Sequence, residues 1–346
     1  MTLSWFSIVR LGFVQMALGA IVVLTTSTLN RLMVVELALP AVLPGLLVAL
    51  HYGIQITRPS WGFLSDKGGN RTLFIIGGMS VLGAGAWLAA AAIPVFETGF
   101  GAGLALSIFA YILIGLGVGA SGTSLLALLA TATAPRRRAA AATITWLMMV
   151  FGIAVTATTV GRFLDPYSAA LLLRIVGIVV LGAIAVTILA IWRVERGVAA
   201  QPEPETASFR EGFTQVWRER RARNFTIFVF VSMTAYFMQE LILEPYSGLV
   251  FGFTPGQSTS LSGAQNGGVF LGMLTVGIAA TGLRIGSLRS WVIAGCLGSA
   301  AALGAIAMAG AYGLGILVPA VVAQGIFNGD FAVAALGTRV ALAGEG

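Results

Sequence analysis

Apolar residues run through this chain in long unbroken stretches, separated by short polar turns. Ten stretches approach or exceed the roughly 20 residues that a helix needs to cross a bilayer. They fall near 8–29, 38–58, 72–94, 100–130, 139–162, 168–192, 225–246, 261–282, 291–310 and 313–340. The fourth and tenth are longer than a bilayer requires, so their helices tilt, kink or protrude. A transmembrane barrel would instead alternate apolar and polar positions over segments of about 10 residues. The pattern predicts an all-α polytopic membrane protein with about ten transmembrane helices visible. One connection is long: residues 193–224 are polar, contain Pro202 and Pro204, and separate an N-terminal six-helix bundle, 1–192, from a C-terminal bundle, 225–346. In that linker Phe209, Phe213, Val216 and Trp217 recur at helical spacing beside Arg218, Arg220, Arg221 and Arg223. The segment Phe209 to Arg223 reads either as an amphipathic helix on the membrane surface or as a solvated helical linker.

Composition removes the soluble alternatives. Of 346 residues 58% are hydrophobic and 10% charged, against about 25% charged in a typical soluble domain. The 20 Lys and Arg outnumber the 13 Asp and Glu, an excess that in a soluble protein would suggest nucleic acid. With the N-terminus placed inside, however, only Arg31, Arg162 and Arg174 fall near the outer side. The positive-inside rule therefore accounts for the excess. Nucleic acid is excluded as a partner, and membrane lipid is expected. The lone Cys296 lies in an apolar run, forms no intrachain disulfide and reads as a small core residue.

The chain carries no nucleophile–base pair, no His/Cys cluster for a metal and no Gly-rich phosphate loop. The expectation is a protein that is not an enzyme, with no catalytic residues and no metal site. What remains are polar groups inside spans, which are costly there and mark function by default. In the second span His51, Gln55 and Arg58 share one helical face. A neutral imidazole at mid-span serves as an axial ligand, a proton carrier or a hydrogen-bonded link between helices. In the seventh span Tyr236, Glu240 and Glu244 share a face. Glu240 is expected inside the bundle, protonated or paired, and Glu244 near the outer surface, with Pro245 ending or kinking the helix. Gln265, Asn266, Gln324, Asn328 and Asp330 either line the same cavity or join helices to one another. Gly115, Gly117, Gly119 and Gly122 of span four, and Gly325, Gly329 and Gly337 of span ten, predict backbone-to-backbone helix packing.

Two segments carry a family resemblance. The turn Gly62-Phe-Leu-Ser-Asp66-Lys67-Gly68-Gly69-Asn70-Arg71, between spans two and three, resembles the loop joining the second and third helices of the major facilitator superfamily. Gly62 allows close helix approach, Gly68 and Gly69 a tight reversal, and Asp66 can face a neighbouring helix N-terminus. Lys67 and Arg71 are expected on the membrane surface. The resemblance implies the major facilitator fold, with two halves related by a pseudo-two-fold axis along the membrane normal. It implies that the last two of twelve helices are missing here, the alternative being a ten-helix protein. The second segment, Gln239-Glu-Leu-Ile-Leu-Glu-Pro-Tyr-Ser-Gly-Leu-Val-Phe-Gly252, resembles the Glu-Pro-Tyr segment of the bacteriochlorophyll-delivery, PucC/LhaA-like branch of that superfamily. Arg58 to Asp66 and Gly325 to Val333 fit as well. Glu240 for the usual Asp and Ser247 for Gly depart from it.

That resemblance implies a multi-pass protein of the bacterial inner, photosynthetic membrane with a cytoplasmic N-terminus. Its role would be to assemble light-harvesting complexes, by delivering bacteriochlorophyll or by chaperoning light-harvesting subunits. Pigment and light-harvesting or reaction-centre subunits are the implied partners, and bacteriochlorophyll is the implied cofactor. The candidate pigment or substrate site is His51, Gln55, Arg58, Tyr236, Gln239, Glu240, Glu244, Tyr246, Asn266 and Asn328, with Gly62, Asp66, Lys67, Gly69 and Arg71 as the loop motif. His51 is either an axial ligand to chlorin magnesium or a buried packing residue. The alternative function is a proton-coupled secondary transporter of an amphipathic small molecule, with Glu240 as the coupling carboxylate.

Overall fold

Each of the ten apolar runs is helical. The computed structural model describes residues 2–67, 70–195, 217–283 and 285–344. In chain order the helices are α1 (Trp5–Glu36), α2 (Val42–Ile54), α3 (Arg58–Lys67), α4 (Arg71–Thr98), α5 (Phe100–Ala132), α6 (Arg138–Phe163), α7 (Ala169–Ile191), α8 (Arg220–Phe251), α9 (Pro255–Val276), α10 (Leu288–Tyr312) and α11 (Leu314–Gly344). Among the described residues there is no strand, and 8 helices are long and apolar enough to cross a membrane. The other two predicted spans are also present. Span two is divided by a 3₁₀ turn, Gln55–Thr57, into α2 and α3. Span eight is α9, more polar than the rest and extended by a π-helical turn, Gly277–Gly282. At 33 residues α5 is about 50 Å long, well beyond the apolar thickness of a bilayer. The predicted linker helix falls largely outside the described residues, which resume at Trp217.

Glycine sets the closest contacts. A Cβ on Gly78 of α4 would lie 2.5 Å from the Ser121 amide nitrogen of α5, and one on Gly117 would lie 2.7 Å from the Gly78 carbonyl. Gly268 of α9 meets the Val322 carbonyl of α11 in the same way, at 2.5 Å. Gly325 and Gly329 return the contact from α11, as expected. Gly115 meets the His51 carbonyl at 2.7 Å. Gly119 and Gly122 do not follow: their nearest neighbours are side chains at 3.3 and 3.6 Å. Gly62, expected to permit close approach, has only the Thr123 methyl at 3.6 Å.

The largest apolar core lies among α1, α4, α5 and α7. A smaller one, built on Leu243, Leu261, Leu317 and Val321, joins α8, α9 and α11. Val150 of α6 packs with Val269 and Met273 of α9, so that helices from either side of the linker meet directly. Cys296, read from sequence as a core residue, is exposed. It faces outward from α10, where an apolar side chain needs only lipid.

Charged residues tie the ends. At the arginine-rich end Glu195 accepts from the backbone nitrogens of Arg71 and Thr72, at 3.1 and 2.9 Å, and caps α4. Arg71 is buried, not spread on the surface as expected: its guanidinium donates to the Ala127 carbonyl at 3.2 Å and to the Thr131 hydroxyl. The free carbonyls at the C-terminal end of α5 supply the acceptors. Asp66 and Lys67 close α3, while Gly69 lies outside the described residues. Arg10 donates to the Leu189 and Trp192 carbonyls, at 3.1 and 2.7 Å, at the C-terminal end of α7. At the opposite end of the molecule Asp165 accepts from the Thr254 hydroxyl at 2.5 Å and the Gly256 nitrogen at 3.1 Å, adding negative charge at the N-terminus of α9.

Candidate functional site

The second span ends in a polar relay. Arg58 donates to Gln55 Oε1 at 2.5 Å, and the Gln55 amide lies 3.0 Å from His51 Nε2. An amide nitrogen only donates, so Nε2 accepts and Nδ1 carries the ring hydrogen, as assigned from this network. The His51 side chain is 1% exposed, and its Nδ1 has no hydrogen-bond partner. The imidazole is therefore engaged on one side and unsatisfied on the other.

Tyr52 carries this relay to the seventh span. Its ring meets the His51 ring edge-on at 4.6 Å and Phe237 of α8 at 5.3 Å, and Phe237 in turn meets Tyr236 at 5.5 Å. Glu240, one turn on, is within electrostatic reach of the Tyr52 and Tyr236 hydroxyls. His51, Gln55, Arg58, Tyr236 and Glu240 thus belong to one constellation. Tyr52 and Phe237 join its halves and are 40% and 39% exposed. The sequence reading missed both because it followed the i, i+4 faces of His51 and Tyr236, and Tyr52 and Phe237 each lie one position off those faces. Their adjacency to His51 and Tyr236 was the available signal. Gln239 is half-buried, with an unpartnered amide nitrogen.

Glu244 belongs elsewhere. Expected near the outer surface, it is 0% exposed and sits among buried hydroxyls of α1 and α9. Nor does Pro245 end the helix, since α8 continues to Phe251 and stops at Gly252, whose φ of 67° is left-handed. Proline removes the hydrogen bond that the carbonyl four residues back would accept. That carbonyl, Leu241, instead accepts from Asn30 of α1 at 2.7 Å. Replacing Asn30 with Ala should cost about 1–3 kcal/mol, the penalty of a buried unpaired carbonyl. Adding Pro245→Ala restores a backbone donor and should recover much of that loss in thermal melts of the solubilised protein. Additive losses in the double variant would refute the pairing.

The sequence reading also missed Arg31, taking it only as an outer-side charge. It is 2% exposed and donates from Nε to Ser258 at 3.0 Å, from Nη1 to Glu36 at 2.6 Å and from Nη2 to the Phe253 carbonyl at 2.6 Å. Of the remaining candidates Tyr246 and Asn328 join helices, and Asn266 bonds within α9. Tyr246 donates to the Ile306 carbonyl at 2.9 Å, Asn266 to the Ser262 carbonyl at 3.0 Å, and Asn328 accepts from Ser299 at 2.7 Å. These bonds stay among α8–α11, away from the His51 face.

The aromatic and polar face of α8 adjoins the Glu-Pro-Tyr segment, and comparison with known proteins agrees with that marker. A family model described as PUCC protein matches residues 28–346. The chain belongs to the PucC family. It is 67% identical to the "Bacteriochlorophyll synthase 44.5 kDa chain" of Rhodobacter capsulatus, over 100% of this chain and 81% of that protein. It is 28% identical to "Protein PucC" of Cereibacter sphaeroides, over 77% of this chain and 61% of that protein's length. Among solved structures a bacterial Spinster homologue, inward-facing, superposes with a TM-score of 0.60 at 16% identity, over 98% of this chain and 79% of that one. An outward-facing bacterial ferroportin homologue superposes with a TM-score of 0.63 at 12% identity, over 97% and 84%. At such identity the likeness is one of fold: this PucC-family chain has the fold of major facilitator transporters, as a multi-pass membrane protein.

Proposed function

We propose that this chain is a non-enzymatic assembly factor of the bacterial photosynthetic inner membrane, its N-terminus cytoplasmic. It holds bacteriochlorophyll for delivery to light-harvesting subunits at the face shared by α2 and α8. The observation that carries this reading is the run of Tyr52, Phe237 and Tyr236, part-exposed, beside the His51–Gln55–Arg58 relay. Flat aromatic surface suits a macrocycle, and the Arg58 and Gln55 donors suit its peripheral carbonyls. The residues fit a chlorin pigment as cargo, and the unpartnered Nδ1 of His51 supports placing His51 beside it. Axial ligation through Nε2 would require Gln55 to release that nitrogen. Membership of a family with a relative named for bacteriochlorophyll supports the pigment class. The word synthase in that name belongs to the relative, and no catalytic group is assigned here.

The test is the absorption spectrum of gently solubilised protein. Wild type should copurify with a pigment absorbing in the red or near infrared. Each aromatic contact contributes about 0.5–1.5 kcal/mol, so Tyr52→Ala with Phe237→Ala should lower pigment affinity about tenfold. His51→Leu should shift the band or lower pigment content while the protein still accumulates. Full pigment content with an unchanged spectrum in the well-expressed aromatic double variant would sink this site. A second reading, proton-coupled transport of an amphipathic molecule, is favoured by Glu240 lying beside Tyr236 in a transporter fold. Under it Glu240→Gln abolishes proton-coupled uptake in liposomes.

A further inference from the structure

A second site lies about one helical turn from Glu240. The side chain of Glu244 is fully buried; Oε1 has no hydrogen-bond partner, and Oε2 accepts a long bond, 3.4 Å, from Thr259. Around it every ligating atom is an oxygen. The Thr259 hydroxyl is 3.2 Å from that of Thr28, and the Ser262 hydroxyl is 3.5 Å from that of Ser27 and also reaches Glu244. All four hydroxyl residues are buried. They come from three helices: Ser27 and Thr28 from α1, Glu244 from α8, Thr259 and Ser262 from α9.

Local structure in α1 is built around this point. Leu24–Thr28 is a π-helical turn, a form that recurs at functional sites. The wide turn disturbs the backbone ladder, and hydroxyls take the carbonyls over. Thr25 and Thr26 both donate to the Val22 carbonyl, at 2.8 and 3.0 Å, and Tyr111 of α5 donates to the Thr25 carbonyl at 2.7 Å. Ser27 and Thr28 are left directed at α9.

Charge sets the valence of a ligand. The nearby cation, Arg31, is paired with Glu36 at 2.6 Å, and Glu240 is a further carboxyl in reach. An ionised Glu244 would have Arg31 as a shared and only partial counter-charge in a dry interior, where a carboxylate is strongly disfavoured without a proton or a cation of its own. An oxygen-only shell suits a hard cation. The pairs Thr28–Thr259, Thr259–Glu244 and Ser27–Ser262, at 3.2–3.5 Å, each match the edge length of an octahedron with bonds of about 2.4 Å, within the range of a cation the size of calcium. One carboxylate among neutral hydroxyls suits a single charge and not a double one.

We propose that Glu244, Thr259, Thr28, Ser262 and Ser27 form a sodium site that joins α1, α8 and α9. It is independent of the pigment reading.

The test uses the full chain in detergent, melted in sodium chloride or choline chloride at equal ionic strength, with binding of radioactive sodium as the second readout. Sodium should raise the melting temperature and choline should not, because a ligand of the folded state stabilises it. Glu244→Gln should abolish the sodium effect. If that variant does not fold, Thr28→Val and Ser262→Ala, which leave the charge untouched, should each weaken apparent sodium affinity about tenfold or more. Equal melting in sodium and choline overturns the proposal. So does stabilisation on acidification with none from sodium, which would make Glu244 a proton site. Sodium binding that survives intact in Glu244→Gln, or in both hydroxyl variants, also overturns it.

Discussion

Arg31→Leu should destabilise the solubilised protein by about 2 kcal/mol, because the Phe253 carbonyl is left without its donor at about 1–3 kcal/mol. The guanidinium is the only group of α1 that reaches Ser258 and the Phe253 carbonyl at once, at 3.0 and 2.6 Å. Its third partner, Glu36, has a side chain 38% exposed. That carboxylate stays hydrated when Arg31 is removed, and the ion pair itself contributes little. The loss comes from the part-buried Phe253 carbonyl and the vacated space, since the Ser258 hydroxyl still donates to the Thr254 carbonyl at 2.8 Å. Arg31→Lys keeps the charge but not the planar fork that serves three acceptors in different directions. It should recover less than half of the loss. The measurement is the melting temperature in detergent, together with the amount of protein in the membrane fraction. A leucine variant that melts within a degree of wild type would show that this clamp between α1 and α9 is dispensable.

The second large effect separates two adjacent glycines. Gly78→Ala should be strongly destabilising, at the upper end of the roughly 1–3 kcal/mol typical of overpacking. Gly77→Ala should be neutral or slightly stabilising, because alanine favours a helix over glycine by about 1 kcal/mol. The new methyl at Gly78 would meet the Ser121 nitrogen at 2.5 Å and the Gly117 carbonyl at 3.0 Å, both backbone atoms that no rotamer change can move. At Gly77 nothing lies within 4 Å. Intrinsic propensity is the same at both positions, so their difference reads the α4–α5 contact alone. Fluorescence-detected gel filtration of the two variants decides it; equal profiles would mean that α4 and α5 slide past each other to make room.

Both predictions concern seams that hold helices at fixed distances. The face formed by Tyr52 and Phe237 depends on such a seam. The carbonyl of His51 rests on Gly115 at the closest approach of α2 to α5. A larger residue at 115 would push α2 outward and shift Tyr52 relative to Phe237, with no change in either side chain.

The spans, their order and the family were legible in the chain itself. Crossing a bilayer leaves a helix only one way to satisfy its backbone, so a run of apolar residues is nearly a structural statement. The Glu-Pro-Tyr segment marks the PucC family by residue identity alone, and the i, i+4 spacing of His51 and Gln55 already places them together. What could not be read was which polar group meets which. Pro245 reads locally as a helix end, yet α8 runs through it, and Asn30 takes the freed carbonyl of Leu241, from which it is 211 residues distant in sequence. Arg31 and Arg71 read as surface charges, and both are buried where carbonyls and hydroxyls of other helices converge on them. Glu244 and Glu240 share a helical face in sequence, and the fold places one among hydroxyls and the other beside tyrosines. Periodicity fixes where a side chain points on its own helix. The partner across the gap is set by how helices pack, through glycine contacts and crossing geometry that no local pattern encodes.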